Sequence, residues 1–182
     1  MADDGVELLR AARRERRAIP QLSDSMSLDL ESAYEVQRAQ RADFGDLIGW
    51  KLGVTSRAKQ QQVGVDAPIY GFLAAEHVLD VGEPLDTSRH ISPRCEPEIV
   101  FVMGQHLAGA HVTATEVLAA TAGVAVGIEV LDSRYTDYRF TMPDVVADNA
   151  SAGRYVVGSP VPLAGAIPVP LRIRQPVLSI QA

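Results

Sequence analysis

Pro93-Arg94-Cys95-Glu96-Pro97-Glu98-Ile99-Val100-Phe101-Val102-Met103 is the stretch from which the fold is read. Its second half is an apolar run rich in branched and aromatic side chains, which is strand character. Side chains on a strand alternate between faces, so Glu96 and Glu98 share one face with Val100 and Val102. Cys95, Ile99, Phe101 and Met103 share the other. A second apolar run, Val124-Ala125-Val126-Gly127-Ile128-Glu129-Val130-Leu131, carries a third glutamate. There Val124, Val126, Ile128 and Val130 occupy one face, and Gly127 and Glu129 the other. Carboxylates are rarely buried unless they are paired or bind a metal. Three of them converging make an all-oxygen site suited to a hard divalent cation such as Mg²⁺. On spacing alone the competing reading is two surface carboxylates on an edge strand, marked by Pro97, plus one buried ion pair.

A third strand is expected from Leu47 to Val54, with Ile48, Trp50, Leu52 and Val54 on one face. Lys51 lies on the other between Gly49 and Gly53, which leaves open space beside its ammonium group. The three strands therefore repeat one pattern. Each is expected to pack an apolar face and to turn a polar group towards a cavity. A lysine on a half-exposed strand is more often a surface residue; near a metal it can orient a carboxylate or handle a proton.

Helices are expected around these strands. One runs from Asp4 to Arg17 and stops before Ile19-Pro20. Another starts at Ser32, where Ser32 and Glu35 have capping-box spacing, and runs towards Phe44. A short one spans Ser56 to Val63, with Gly64 as its cap. Thr113 and Glu116 form a further capping box that opens a helix reaching Ala122. Asp144 to Asn149 reads as a helical turn and Arg154 to Val157 as a strand. From Ser159 onward prolines fall at 160, 162, 168, 170 and 176 without a period, and the tail does not read as part of a core.

The chain has 182 residues, 47% hydrophobic and 22% charged, the prior for one globular domain. Its net charge is −6, and the one dense basic run, Arg10 to Arg17, reads as a solvated helix face, so nucleic acid is not an expected partner. The single cysteine, Cys95, fits a reducing compartment and is read as a packing residue. The start Met1-Ala2-Asp3-Asp4 is acidic with no apolar segment behind it, and no apolar run spans a bilayer; a cytoplasmic protein is expected. His77, His90, His106 and His111 have no ligand spacing and are read as structural. Arg57, Arg134 and Arg139 could each hold a carboxylate, although surface placement is the default for any one of them.

Five segments in order resemble one family: Gly49-Trp50-Lys51-Leu52-Gly53-Val54-Thr55-Ser56, Gly64 to Leu73, Pro93 to Ile99, Ile128-Glu129-Val130-Leu131-Asp132-Ser133-Arg134-Tyr135, and Ala147-Asp148-Asn149-Ala150-Ser151. They are similar to the 2-keto-4-pentenoate hydratase / 4-oxalocrotonate decarboxylase family, within the fumarylacetoacetate hydrolase superfamily, over residues 30 to 158. The resemblance implies an α+β fold in which N-terminal helices (1–46) precede a mixed β-sheet roll (47–158). It implies Mg²⁺ or Mn²⁺ on Glu96, Glu98 and Glu129, a catalytic Lys51, and substrate contacts from Arg57, Tyr70 and Asn149. The implied activity is decarboxylation of 2-oxohex-3-enedioate in meta-cleavage degradation of aromatics, with pentadienoate hydration as the alternative. A homo-oligomer or a complex with a pathway hydratase is the implied assembly. Family members continue past Gly158 with segments that complete the roll. The tail 159–182 does not match them, which implies a roll incomplete at its C-terminus. Its uncovered edges would be an aggregation liability, and a non-catalytic homologue is a further alternative.

Overall fold

The computed structural model describes residues 2–63, 65–163 and 177–181. Five α-helices and eight strands are present among them: α1 (Ala2–Glu15), α2 (Leu30–Ala39), β1 (Leu47–Gly53), α3 (Arg57–Val63), β2 (Ile69–Ala74), β3 (Val78–Leu79), β4 (Pro93–Met103), α4 (Ala114–Ala120), β5 (Thr121–Asp132), α5 (Met142–Ala147), β6 (Ala152–Val157), β7 (Val161–Pro162) and β8 (Val177–Gln181). The strands form one mixed sheet in the order β2-β1-β8-β4-β5-β6-β3, with β7 on β5. β1–β8 and β3–β6 are parallel; the other pairs are antiparallel.

β2 and β3 lie at opposite ends of that order, yet only residues Ala75–His77 connect them. So short a link forces the sheet to curl until its two ends meet. Tyr155 on β6 closes the seam by donating its hydroxyl to Ala74 O on β2 at 2.9 Å. Inside the roll Ile48, Leu73, Val100, Val102, Ala125, Tyr155 and Val157 pack together. Outside it α1, α2 and α5 bury Val6, Leu9, Leu22, Val36, Tyr135 and Val146 in a second core.

The curl settles which face is inside, and the expectation is reversed. The residues that share a face are those the alternation predicts, but the face bearing the carboxylates is the buried one. Trp50 is 40% exposed, Ile128 48% and Val126 68%, while Lys51, Glu98 and Glu129 are buried. Cys95 is likewise exposed instead of packed. Ile48 joins the buried set because β1 carries an extra residue between Leu47 and Gly49, which shifts the alternation by one.

Local signals fare better with small displacements. α2 begins earlier than expected: Asp29 is its cap, and Ser32 is the third residue of the capping box. The box of Thr113 and Glu116 caps α4 as expected, but α4 ends at Ala120 and the next two residues already belong to β5. β8 comes from the proline-rich tail, and it runs between β1 and β4. The expected cap Gly64 and prolines 168, 170 and 176 lie outside the described residues. Of the basic run in α1, Arg14 and Arg17 face solvent beside Glu7 and Glu15, whereas Arg10 and Arg13 turn towards Asp43. No helix among the described residues is long and apolar enough to cross a membrane.

Candidate metal centre

Glu96, Glu98 and Glu129 form a cluster in which one carboxylate oxygen of each lies within 4.8 Å of the others. The β4–β5 register brings this about. Glu96 stands directly across from Glu129, and Glu98 across from Gly127. Like charges placed opposite one another destabilise a sheet, so this pairing asks for a compensating cation. Gly127 keeps the space beside Glu98 open. A Cβ there would come within 2.7 Å of Val100 Cγ2 and 3.2 Å of Val156 O.

Lys51 supplies one positive charge. Its Nζ sits 2.6 Å from Glu129 Oε1 and donates to Ala150 O at 2.8 Å. On a flat sheet β1 and β5 would stand roughly 14 Å apart, three strand spacings, which is too far for this contact. The curl of the roll closes that gap. The acceptor Ala150 O is presented by an unusual turn. Asn149, Ala150 and Ser151 all have left-handed backbone angles, with φ of 52°, 50° and 56°. Such angles cost roughly 1–2 kcal/mol per non-glycine residue, so the surrounding packing must hold the turn in place.

Three converging carboxylates with Lys51 beside one of them make an all-oxygen donor set of the kind a divalent cation takes. Burial raises the Glu129 carboxyl above the ordinary range; Lys51 opposes that rise and Glu96 adds to it. A hard cation with oxygen ligands removes the strain, and the donor set fits Mg²⁺ or Mn²⁺. The space bordered by Lys51, Leu73, Glu98, Gly127, Glu129 and Tyr155 is about 10 Å³. That is close to the room one water or one ion needs, and it is too small for a six-carbon acid.

The other expected site residues are placed differently. Arg57 is exposed at the start of α3 and does not border the space beside the carboxylates. Tyr70 stacks on Tyr34 at 4.4 Å and meets Trp50 edge-on at 5.5 Å, in the outer, exposed layer. Asn149 is buried, and its amide clamps Phe72, accepting from its N–H at 2.8 Å and donating to its C=O at 3.0 Å. Arg134 is not on the surface. It is buried against Asp148 and also donates to Ala152 O. Sequence reasoning missed Ala150, whose contribution is a main-chain carbonyl and so leaves no side-chain signal.

A 4-oxalocrotonate decarboxylase of a Pseudomonas species is 42% identical over 147 residues, which is 79% of this chain and 57% of that relative. A 2-hydroxypent-2,4-dienoate hydratase of Pseudomonas putida is 39% identical over 159 residues, 85% of this chain and 72% of that relative. The solved structure of 4-oxalocrotonate decarboxylase from Pseudomonas putida G7, complexed with magnesium and adipate, is 33% identical with a TM-score of 0.79. It covers 90% of this chain, and the chain covers 66% of it. The chain thus spans less than two thirds of the length of either decarboxylase. No protein-family model matches the sequence.

Proposed function

The chain belongs to the 2-keto-4-pentenoate hydratase / 4-oxalocrotonate decarboxylase family, and on that premise we propose that it is a metal-dependent lyase that decarboxylates 2-oxohex-3-enedioate to 2-hydroxypenta-2,4-dienoate. The observation that carries this reading is the convergence of the Glu96, Glu98 and Glu129 carboxylates beside a fixed Lys51.

Those three glutamates would hold Mg²⁺ or Mn²⁺, which when bound supplies Lewis-acid stabilisation of negative charge on a 2-oxo oxygen. In the reaction the C5–C6 bond breaks and CO₂ leaves. The electron pair moves along C5, C4, C3 and C2 to the 2-oxo oxygen, and one proton is taken up to give the dienol. Lys51 is the group we assign to that charge and proton. An ammonium carries three donors, and two have partners here in Ala150 O and Glu129. A cation held in this way needs no reorganisation as charge develops beside it. Leu73, Val100 and Val157 border the site and keep its dielectric low, which strengthens each electrostatic contact. A reducing, cytoplasmic setting accords with the single cysteine.

Two observations keep other readings beside this one. The match to a hydratase over 72% of that relative favours water addition to the dienol. The ion-sized space favours a homologue that holds metal without turnover. The deciding experiment follows CO₂ release and dienol formation from 2-oxohex-3-enedioate with Mg²⁺, using Glu98→Gln as the control. Metal-dependent CO₂ release that disappears in the variant establishes the decarboxylase. Folded, metal-loaded protein that releases none removes it. Water addition to 2-hydroxypenta-2,4-dienoate would then identify the hydratase.

A further inference from the structure

A larger cavity, about 130 Å³, lies on the other side of β6 from the carboxylates. Tyr155 and Arg154 are neighbours in β6, so their side chains leave opposite faces of the strand. Tyr155 borders the carboxylate space and Arg154 borders this one. The two cavities share no lining residue.

Its lining is basic in an acidic chain. Arg13, Arg16, Arg89, Arg134 and Arg154 are five of the seventeen lysines and arginines in a protein of net charge −6. Two have carboxylate partners: Arg134 pairs with Asp148, and Arg13 shares Asp43 with Arg10. Among the described residues the other three have none. Arg16 donates to Ser88 O and Arg154 to Glu76 O, both main-chain carbonyls. The Arg89 side chain makes no hydrogen bond or ion pair among the described residues; Asp86 is the carboxylate that feels its charge. The one carboxylate in the lining, Asp132, is taken up by the N–H groups of Ile91 and Ser92.

Two further observations agree. Arg16 has φ of 51°, a left-handed conformation where a helix usually ends in glycine. The strain is tolerated at the residue whose guanidinium spans to the turn carrying Arg89. His77, also in the lining, has its imidazole pushed down to about 4, first by burial and then by Arg154, Arg134 and Arg13. Glu76, 3.7 Å from His77, is the carboxylate facing it.

We propose that this cavity is a binding site for a small dianionic oxyanion, of the phosphate or short dicarboxylate class, separate from the metal centre. Guanidinium groups recognise both through paired N–H donors in a planar fork. The volume sets the size limit, because sites for drug-sized ligands run to about 300–1,000 Å³. The reading does not depend on which reaction the carboxylates support.

The test is calorimetric titration of the metal-free chain in EDTA, at low ionic strength, with inorganic phosphate and separately with succinate. Saturable binding of one molecule per chain is expected, and the tighter of the two identifies the ligand's chemistry. Arg89→Ala, at an exposed position, and Arg154→Gln should each weaken it about tenfold, the effect of losing one charged hydrogen bond. Glu98→Gln should leave it unchanged. By NMR, the His77 titration midpoint should rise from about 4 towards its ordinary value when the anion is bound, because added negative charge offsets the arginines. Absence of saturable binding to either anion overturns the proposal. So does binding that Arg89→Ala and Arg154→Gln leave intact.

Discussion

Two buried ion pairs sit on opposite sides of the roll, and they are built to different ends. Arg134 and Asp148 lie outside it, between the sheet and the helices. Asp148 also accepts the Arg134 main-chain N–H at 3.1 Å, and Arg134 donates to Ala152 O, so the pair is closed. Lys51 and Glu129 lie inside. Glu96 and Glu98 stand beside them, so this pair belongs to a cluster that offers carboxylate oxygens to a cation. Burial alone therefore does not separate the two pairs. The separating feature is what adjoins each: Arg134–Asp148 is completed by main-chain groups, whereas Lys51–Glu129 adjoins two further carboxylates.

The largest effect should come from breaking the closed pair. Arg134→Met leaves Asp148 buried without its cation, which costs about 3–5 kcal/mol. Urea denaturation of the metal-free chain reads that loss. An equal loss from Glu98→Gln in the same assay would erase the distinction drawn above.

The next effect is in acid. His77 is held near 4 when folded and titrates at about 6.5 when unfolded. Its folded value is depressed, so between those two values the unfolded chain binds more protons. Stability is therefore full above pH 6.5 and falls as pH drops towards 4, by at most roughly 3 kcal/mol. His77→Gln should flatten that part of the stability profile.

The Lys51–Glu129 pair, inside the candidate metal cluster, should answer to metal. With Mg²⁺ at about 100 times its dissociation constant, the melting free energy of the wild-type chain rises by about 2.7 kcal/mol. Glu98→Gln should abolish most of that gain while leaving metal-free stability nearly unchanged. Thermal melts with Mg²⁺ and with EDTA give both numbers.

Much of the candidate metal centre was legible in the sequence. Alternation alone put Glu96 and Glu98 on one face and Glu129 beside Gly127. Two things were hidden. Alternation is symmetric, so it names the faces without saying which is inside. Here Val126 and Ile128 point to the wrong one, because hydrophobicity signals burial only on a flat sheet and the curl puts them outside. The partnership of Lys51 with Glu129 depends on three strand spacings closing up, and no local pattern encodes that. The pairing of Arg134 with Asp148 was hidden for a similar reason: an arginine in a polar loop carries no mark of the packing that buries it. β8 escaped notice because its own five residues are flanked by a proline-rich stretch with no period.

The three residues that join β2 to β3 also bear on the order of folding. The β1–β2 and β4–β5 antiparallel pairs each join consecutive strands, separated by residues 54–68 and 104–120, while β1 and β5 lie far apart in sequence. Such local pairings are quick to form, whereas contacts between distant parts of a chain are slow. Residues 51 and 129 belong to different pairs, and they meet only when the seam between β2 and β6 has shut. The ammonium–carboxylate contact is therefore expected late in folding, and a cation that prefers the finished cluster would act as a latch on the closed roll.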